Sequence, residues 1–255
     1  MTGRIVLVTG AASGIGAEVC RSLATSGDTV VAADLNTERA QSVVAALPAP
    51  TGAPHRVIEM DVSSETSVVE SHTQIEQDIG PVAVLVTAAG VFPPAGDQPA
   101  VSGTTLADWQ RAEGANGSGT FLCVREMLRA RHATPVLDGR IVTFTSIGAQ
   151  VGVVRANVAY AASKAAVMGI TRCAAKEGAP LGITANCIAP GFIETPMLAS
   201  AFTPADLDAL VQSVPLKRLG HATEVAALVH FLAGAQAGYI TGTTIDINGG
   251  VRIGP

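Results

Sequence analysis

Tyr160 and Lys164 stand four residues apart in Tyr160-Ala161-Ala162-Ser163-Lys164. On a helix, residues i and i+4 share one face, so the phenol and the ammonium project into the same space. A free phenol, with a pKa of about 10, exchanges protons poorly near neutral pH, and a fixed cation beside it favours the phenolate. The pair is therefore a candidate proton-transfer device. Its plain alternative is a half-buried Tyr beside a solvated Lys; with two tyrosines and three lysines in the whole chain, coincidence is disfavoured.

A second constellation lies near the start, Thr9-Gly10-Ala11-Ala12-Ser13-Gly14-Ile15-Gly16. Gly10, Gly14 and Gly16 follow an apolar run and open a helical pattern, so backbone amides and a positive helix N-terminus can approach a pyrophosphate without Cβ interference. A tight turn is the alternative. Asp34 stands 24 positions after Gly10, close to the roughly 20-residue offset at which an acidic side chain reaches an adenosine ribose. Its carboxylate would accept ribose hydroxyls and repel a 2′-phosphate; otherwise it forms an Asx turn leading into the helix at Thr37. With no Arg or Lys in the glycine loop or beside Asp34, NAD is expected over NADP.

These residues need elements to hold them. Short β-branched runs bounded by Gly, Asp or Ser alternate with helix-patterned stretches, which argues for βαβ units and a parallel sheet. Strands are expected at 4–8, 29–33, 55–60, 82–87, 140–145, 184–188 and 243–247, and helices at 14–26, 37–47, 65–79, 105–131, 157–178 and 222–233. Seven strands with intervening helices make one doubly wound, Rossmann-type α/β domain over residues 1–255, a seven-stranded parallel sheet with helices on both faces. Two stretches resist the alternation, 92–104 and 190–215. Both follow a strand's C-terminal end, where open α/β sheets bind ligands, so both are candidate substrate-side insertions.

Composition narrows the classes. With 48% hydrophobic and 15% charged residues the chain is far from the disordered regime. A net charge of −5 gives no footprint for nucleic acid or an anionic membrane. No apolar run reaches the roughly 18 residues of a membrane span, and the N-terminus runs straight into a strand with no room for a signal peptide. The expected location is the cytoplasm. Cys20, Cys123, Cys173 and Cys187 are scattered and read as reduced, buried thiols, while the five histidines read as surface or capping residues; no metal is expected.

The spacing Thr-Gly-x-x-x-Gly-x-Gly together with Tyr160-x-x-x-Lys164 resembles the short-chain dehydrogenase/reductase family, over nearly the whole chain. Further matches are Asp61-Val62 after the third strand, Ala89-Gly90 after the fourth, Asn116 in the long fourth helix, Ser146 ending the fifth strand, and Ala189-Pro190-Gly191-Phe192-Ile193-Glu194-Thr195 after the sixth. The resemblance implies an NAD-dependent enzyme interconverting a ketone and a secondary alcohol. It makes Tyr160 the acid in reduction, has Lys164 lower the Tyr160 pKa and bind the nicotinamide ribose, and has Ser146 hydrogen-bond the carbonyl oxygen. Asn116 would hold a water linking Lys164 to solvent. Gly10, Ser13, Gly14, Ile15, Gly16, Asp34, Asp61, Val62, Ala89, Gly90, Pro190, Gly191, Ile193 and Thr195 would line the cofactor; Asp61 could instead merely cap the next helix, and Thr195 could start a short one.

Within the family the nearest likeness is to 3-oxoacyl-(acyl-carrier-protein) reductases. Arg129 falls where that subfamily places a carrier-binding arginine, but the companion position is Leu181. A 3-oxoacyl thioester is thus one candidate substrate, and a catabolic diol or sugar alcohol another. A redox-inactive NAD-binding sensor or scaffold is the reading of a different class, since fold does not fix function. Gln150, Val151 and Val153 would help shape the substrate pocket, and similarity to related proteins implies a homotetramer built on helices 105–131 and 157–178.

Overall fold

The computed structural model describes residues 3–92, 101–152 and 158–254. Seven strands form one parallel sheet: β1 (Ile5–Thr9), β2 (Thr29–Asp34), β3 (Arg56–Glu59), β4 (Val82–Thr87), β5 (Gly139–Phe144), β6 (Ile183–Pro190) and a last strand, β9 (Thr244–Ile247), in the order β3-β2-β1-β4-β5-β6-β9. The expected strands lie within two residues of these bounds. Because successive strand residues point to opposite faces, Val6 and Val8, with Val30, Val84 and Val142, pack on one side of the sheet. Leu7, with Val31, Leu85 and Ile141, packs on the other. Helices α1 (Gly14–Ala24) and α10 (Ala222–Ala233) cover the first face through Val19, Leu23, Val225 and Val229. Helices α3 (Glu65–Asp78), α5 (Gly119–Ala133) and α7 (Val158–Gly178) cover the second.

The strand order reverses between β1 and β4, and the crevice at their C-terminal ends is where such sheets take ligands. The start of β4 is clamped: Val82 donates its N–H to Glu76 Oε1 at 2.9 Å, Arg131 donates to the Val82 carbonyl at 3.1 Å, and the two side chains form an ion pair.

The expected helix at 105–131 is interrupted. It is α4 (Leu106–Ala112), a π-helical stretch Glu113–Ser118, then α5. Gly114, Gly117 and Gly119 lower the helical preference there by roughly 1 kcal/mol each relative to Ala, and the wider turn places Asn116. The stretch 190–215 carries structure that periodicity did not suggest: β7 (Ile193–Glu194), α8 (Pro196–Ala201) and α9 (Pro204–Ser213). β7 pairs with β8 (Gly220–His221) in a small second sheet. Two further helices, α2 (Thr37–Ala45) and α6 (Ile147–Val151), complete the chain's longer elements, α6 being a turn that no sequence period marked.

Three of the four cysteines are buried as expected, but Cys173 is exposed, because it lies on the outward face of α7 beside Arg172. His72 also departs from expectation: it is buried between α3 and its neighbours, and burial pushes its imidazole below the usual range. Among the described residues no cluster of side chains could hold a metal ion, and no helix is long and apolar enough to cross a membrane.

Candidate active site

A cleft of about 720 Å³ opens over the C-terminal ends of β1, β2 and β4. Gly10, Ser13, Gly14, Ile15, Gly16, Asp34, Asp61, Val62, Ala89, Gly90 and Thr195 all line it. Gly10 has a positive φ of 68°, and a Cβ there would meet the Ala89 nitrogen at 2.6 Å. Ala89 in turn donates its N–H to the Thr9 hydroxyl at 3.2 Å. The β1 and β4 exits are therefore in backbone contact, and Thr9 supplies a tie where Ala88 has no side-chain amide. At the head of α1 the Ser13 hydroxyl makes no cap, and no acidic residue stands in the first turn. Free amides, an uncapped hydroxyl and a glycine floor make a cradle that fits a pyrophosphate.

Asp34 ends β2 at the far side of the same cleft, with Ala12 N donating to Oδ2 at 3.0 Å and Asn36 N to Oδ1 at 2.8 Å. The Asx turn and the cleft-facing carboxylate are the same arrangement. Asp61 similarly accepts from Ser63 through Oδ1 while lining the cleft, and Ser64, not Asp61, caps α3. Thr195 caps α8 by accepting from Leu198 N at 3.3 Å, and also lies against Gly14.

A second cleft, of about 450 Å³, joins the first at Ile15, Gly90 and Thr195. Ser146, Tyr160, Lys164, Pro190, Gly191 and Ile193 line it. Ser146 follows β5 by two residues and caps α6, and its side chain hydrogen-bonds Tyr160. Lys164 donates to the Phe144 carbonyl at 3.0 Å, while the Thr145 hydroxyl donates to the Lys164 carbonyl at 2.6 Å, so the end of β5 holds one turn of α7 at both faces. Phe92 sets its ring edge-to-face with that of Tyr160, with centroids 4.6 Å apart.

Burial dominates the electrostatics. It lowers Lys164 to about 8, with the nearby Cys187 opposing the shift. It raises Tyr160 above the ordinary phenol range, and the opposing pull comes from the Ser146 hydrogen bond. The expected lowering of Tyr160 by Lys164 is thus not the governing influence here, since the ammonium is turned onto the Phe144 carbonyl.

Asn116 lines neither cleft. It is fully buried behind Gly90, where a Cβ would meet its Oδ1 at 2.7 Å and Lys164 Nζ at 3.4 Å. Its Oδ1 accepts from Val91 N at 2.8 Å, and its amide donates to Val91 O and to Ser163 Oγ, each at 3.0 Å. Ser163 passes the contact on to the Tyr160 carbonyl at 3.0 Å. Both amide hydrogens are committed, so the side chain braces the β4 exit against α7.

Comparison with known proteins places the whole chain. A family model described as Enoyl-(Acyl carrier protein) reductase matches residues 10–252. The chain is 38% identical to an acetoacetyl-CoA reductase of Rhizobium meliloti, over 97% of this chain and 98% of that one. It is 34% identical to a 3-oxoacyl-[acyl-carrier-protein] reductase of Aquifex aeolicus, covering 98% of each. The chain belongs to the short-chain dehydrogenase/reductase family. A crystal structure titled as a short-chain dehydrogenase/reductase and glucose/ribitol dehydrogenase from Brucella melitensis superposes on this short-chain dehydrogenase/reductase with a TM-score of 0.89, at 31% identity, covering 100% of this chain and 98% of that one. The chain spans 43% of one longer relative, from Sinorhizobium fredii.

Several site residues of this short-chain dehydrogenase/reductase escaped sequence reasoning. Ser163 and Thr145 adjoin assigned residues and were within reach of it. Phe92 and Phe202 fall in the two stretches expected on the substrate side, but that Phe92 meets Tyr160 and Phe202 is set only by the tertiary fold. Gln150 was expected in the pocket but donates to Asp246 at 2.9 Å, away from it, whereas Val151 does line it; Val153 lies outside the described residues.

Proposed function

We propose that the protein is an NAD-dependent oxidoreductase that interconverts a ketone and a secondary alcohol, with Ser146, Tyr160 and Lys164 as its catalytic residues and Asn116 as a positioning residue. The observation that carries this is their junction: the hydrogen-bonded Ser146 and Tyr160, with Lys164, line the cleft that opens into the glycine cradle. When bound, the nicotinamide would supply or accept the hydride. Tyr160 then gives its proton to the carbonyl oxygen in reduction, or takes the hydroxyl proton in oxidation. Ser146 donates to the same oxygen as charge grows on it. Lys164, charged below about pH 8, offers an ammonium to the cofactor ribose.

The Asp34 carboxylate at the end of β2 supports NAD over NADP. The cation on that cleft's wall, Arg111, stands on α4 and is paired with Asp108. A carrier-linked 3-oxoacyl substrate is the less supported choice, because Arg129 is paired with Glu126 and Leu181 packs against the core. A homotetramer is part of the same proposal. The deciding experiment is Tyr160→Phe: NADH binding by fluorescence should persist while turnover of a ketone and alcohol panel falls by roughly 100- to 10,000-fold. Near-wild-type turnover would remove Tyr160 from the mechanism, and binding of NADH without turnover in the wild type would favour the sensor reading.

A further inference from the structure

We propose that the substrate is an uncharged ketone or secondary alcohol whose larger substituent is an aryl or branched alkyl group seated against Phe92 and Phe202. The inference rests on the reading of Ser146, Tyr160 and Lys164 as the reacting end of the second cleft. From Tyr160 the wall runs outward as a row of rings: Phe92 lies 4.6 Å from Tyr160 between centroids, and Phe202 lies 6.0 Å from Phe92. Met197 and Leu198 of α8 and Leu210 of α9 close the same space.

These apolar side chains lie outside the packed core of the sheet. Neither hydrophobic cluster of the sheet contains any of the five, and no residue of α8 or α9 is buried. Met197, Leu198 and Leu210, which line the cleft and not the core, are stabilised by whatever apolar group fills it. The volume, about 450 Å³, lies within the roughly 300–1,000 Å³ range of small-molecule sites.

The polar inventory points the same way. Among the described lining residues Lys164 is the single charged one, and it faces the Phe144 carbonyl. Of the lining hydroxyls, Thr145 donates to the Lys164 carbonyl and Thr195 caps α8, while the hydrogen-bonded Ser146 and Tyr160 stand at the reacting end. The step balances as secondary alcohol plus oxidised nicotinamide giving ketone, reduced nicotinamide and one proton, the hydride leaving carbon and the proton leaving oxygen through Tyr160.

The test measures kcat/KM with NAD+ for 1-phenylethanol, 2-propanol, erythritol and 3-hydroxybutyrate, and with NADH for acetoacetyl-CoA. The aryl alcohol should exceed 2-propanol by ~30-fold or more, from the ring area removed from water, and should exceed the polyol and the hydroxy acid by a wider margin. Phe202→Ala and, independently, Leu210→Ala should cut kcat/KM for 1-phenylethanol by ~10-fold through KM and bring the ratio of 1-phenylethanol to 2-propanol down with it; an unchanged ratio in both overturns the seat. Preference for erythritol, 3-hydroxybutyrate or acetoacetyl-CoA overturns this substrate class while leaving the Tyr160 chemistry standing. Bound NADH with turnover of none of the five overturns the oxidoreductase reading itself.

Discussion

Lys164 is where a single residue's environment has measurable consequences. Its native pKa, about 8, lies below the ordinary 10.5 because the ammonium is buried. Between those values the unfolded chain holds a proton that the native chain has released, so stability rises with pH across that window and is flat with respect to this group below it. The rise should be on the order of 3 kcal/mol. Urea unfolding of wild type and Lys164→Met from pH 7 to 10.5 should show it in the first and not in the second; parallel pH profiles would place the lysine in water. Asp34 carries the cofactor choice. Asp34→Ser removes the like charge facing a 2′-phosphate, and the ratio of NADH to NADPH affinities should fall by ~10-fold or more. An unchanged ratio in paired fluorescence titrations would assign the choice elsewhere.

At the scale of elements, the cofactor cleft depends on how closely α5 approaches the loop after β3. A Cβ on Gly119 would meet Val62 Cγ2 at 2.9 Å and the Val62 carbonyl at 3.1 Å, and Val62 lines the cleft. Gly119→Ala gains roughly 1 kcal/mol of helix preference and loses about 1–3 kcal/mol to overpacking, so a small net loss of stability is expected. Its sharper effect should be on NADH, bound ~10-fold more weakly as Val62 is displaced, with part of the affinity restored by adding Val62→Ala. A stabilised variant that binds NADH normally would show that the contact is dispensable. That Val62 is what approaches Gly119 was not legible in the sequence, since the two lie far apart in the chain.

For the whole molecule the proposed homotetramer gives a direct mass. Leu106 and Trp109 of α4 and Phe121 of α5 are exposed, Phe121 by 47%, on the helices expected to pair. Burial of such side chains between copies is favourable. Light scattering should return about four times the 25.7 kDa chain mass, and Phe121→Glu should shift it toward smaller species. A monomer at micromolar concentration would remove this assembly.

The sequence by itself determined the parallel sheet, the glycine cradle with Asp34, and the Tyr160–Lys164 spacing, because each is written in short-range period and spacing that any βαβ unit must obey. Only the tertiary structure decided that Asn116 is a brace held by Val91 and Ser163, that burial and not Lys164 governs the Tyr160 phenol, and that Gln150 turns to Asp246. It alone assembled Phe92, Phe202 and Leu210 into one apolar wall. The physical reason is range. A motif encodes neighbours along the chain, whereas desolvation, hydrogen-bond saturation and the shape of a pocket depend on which distant segments the core brings together.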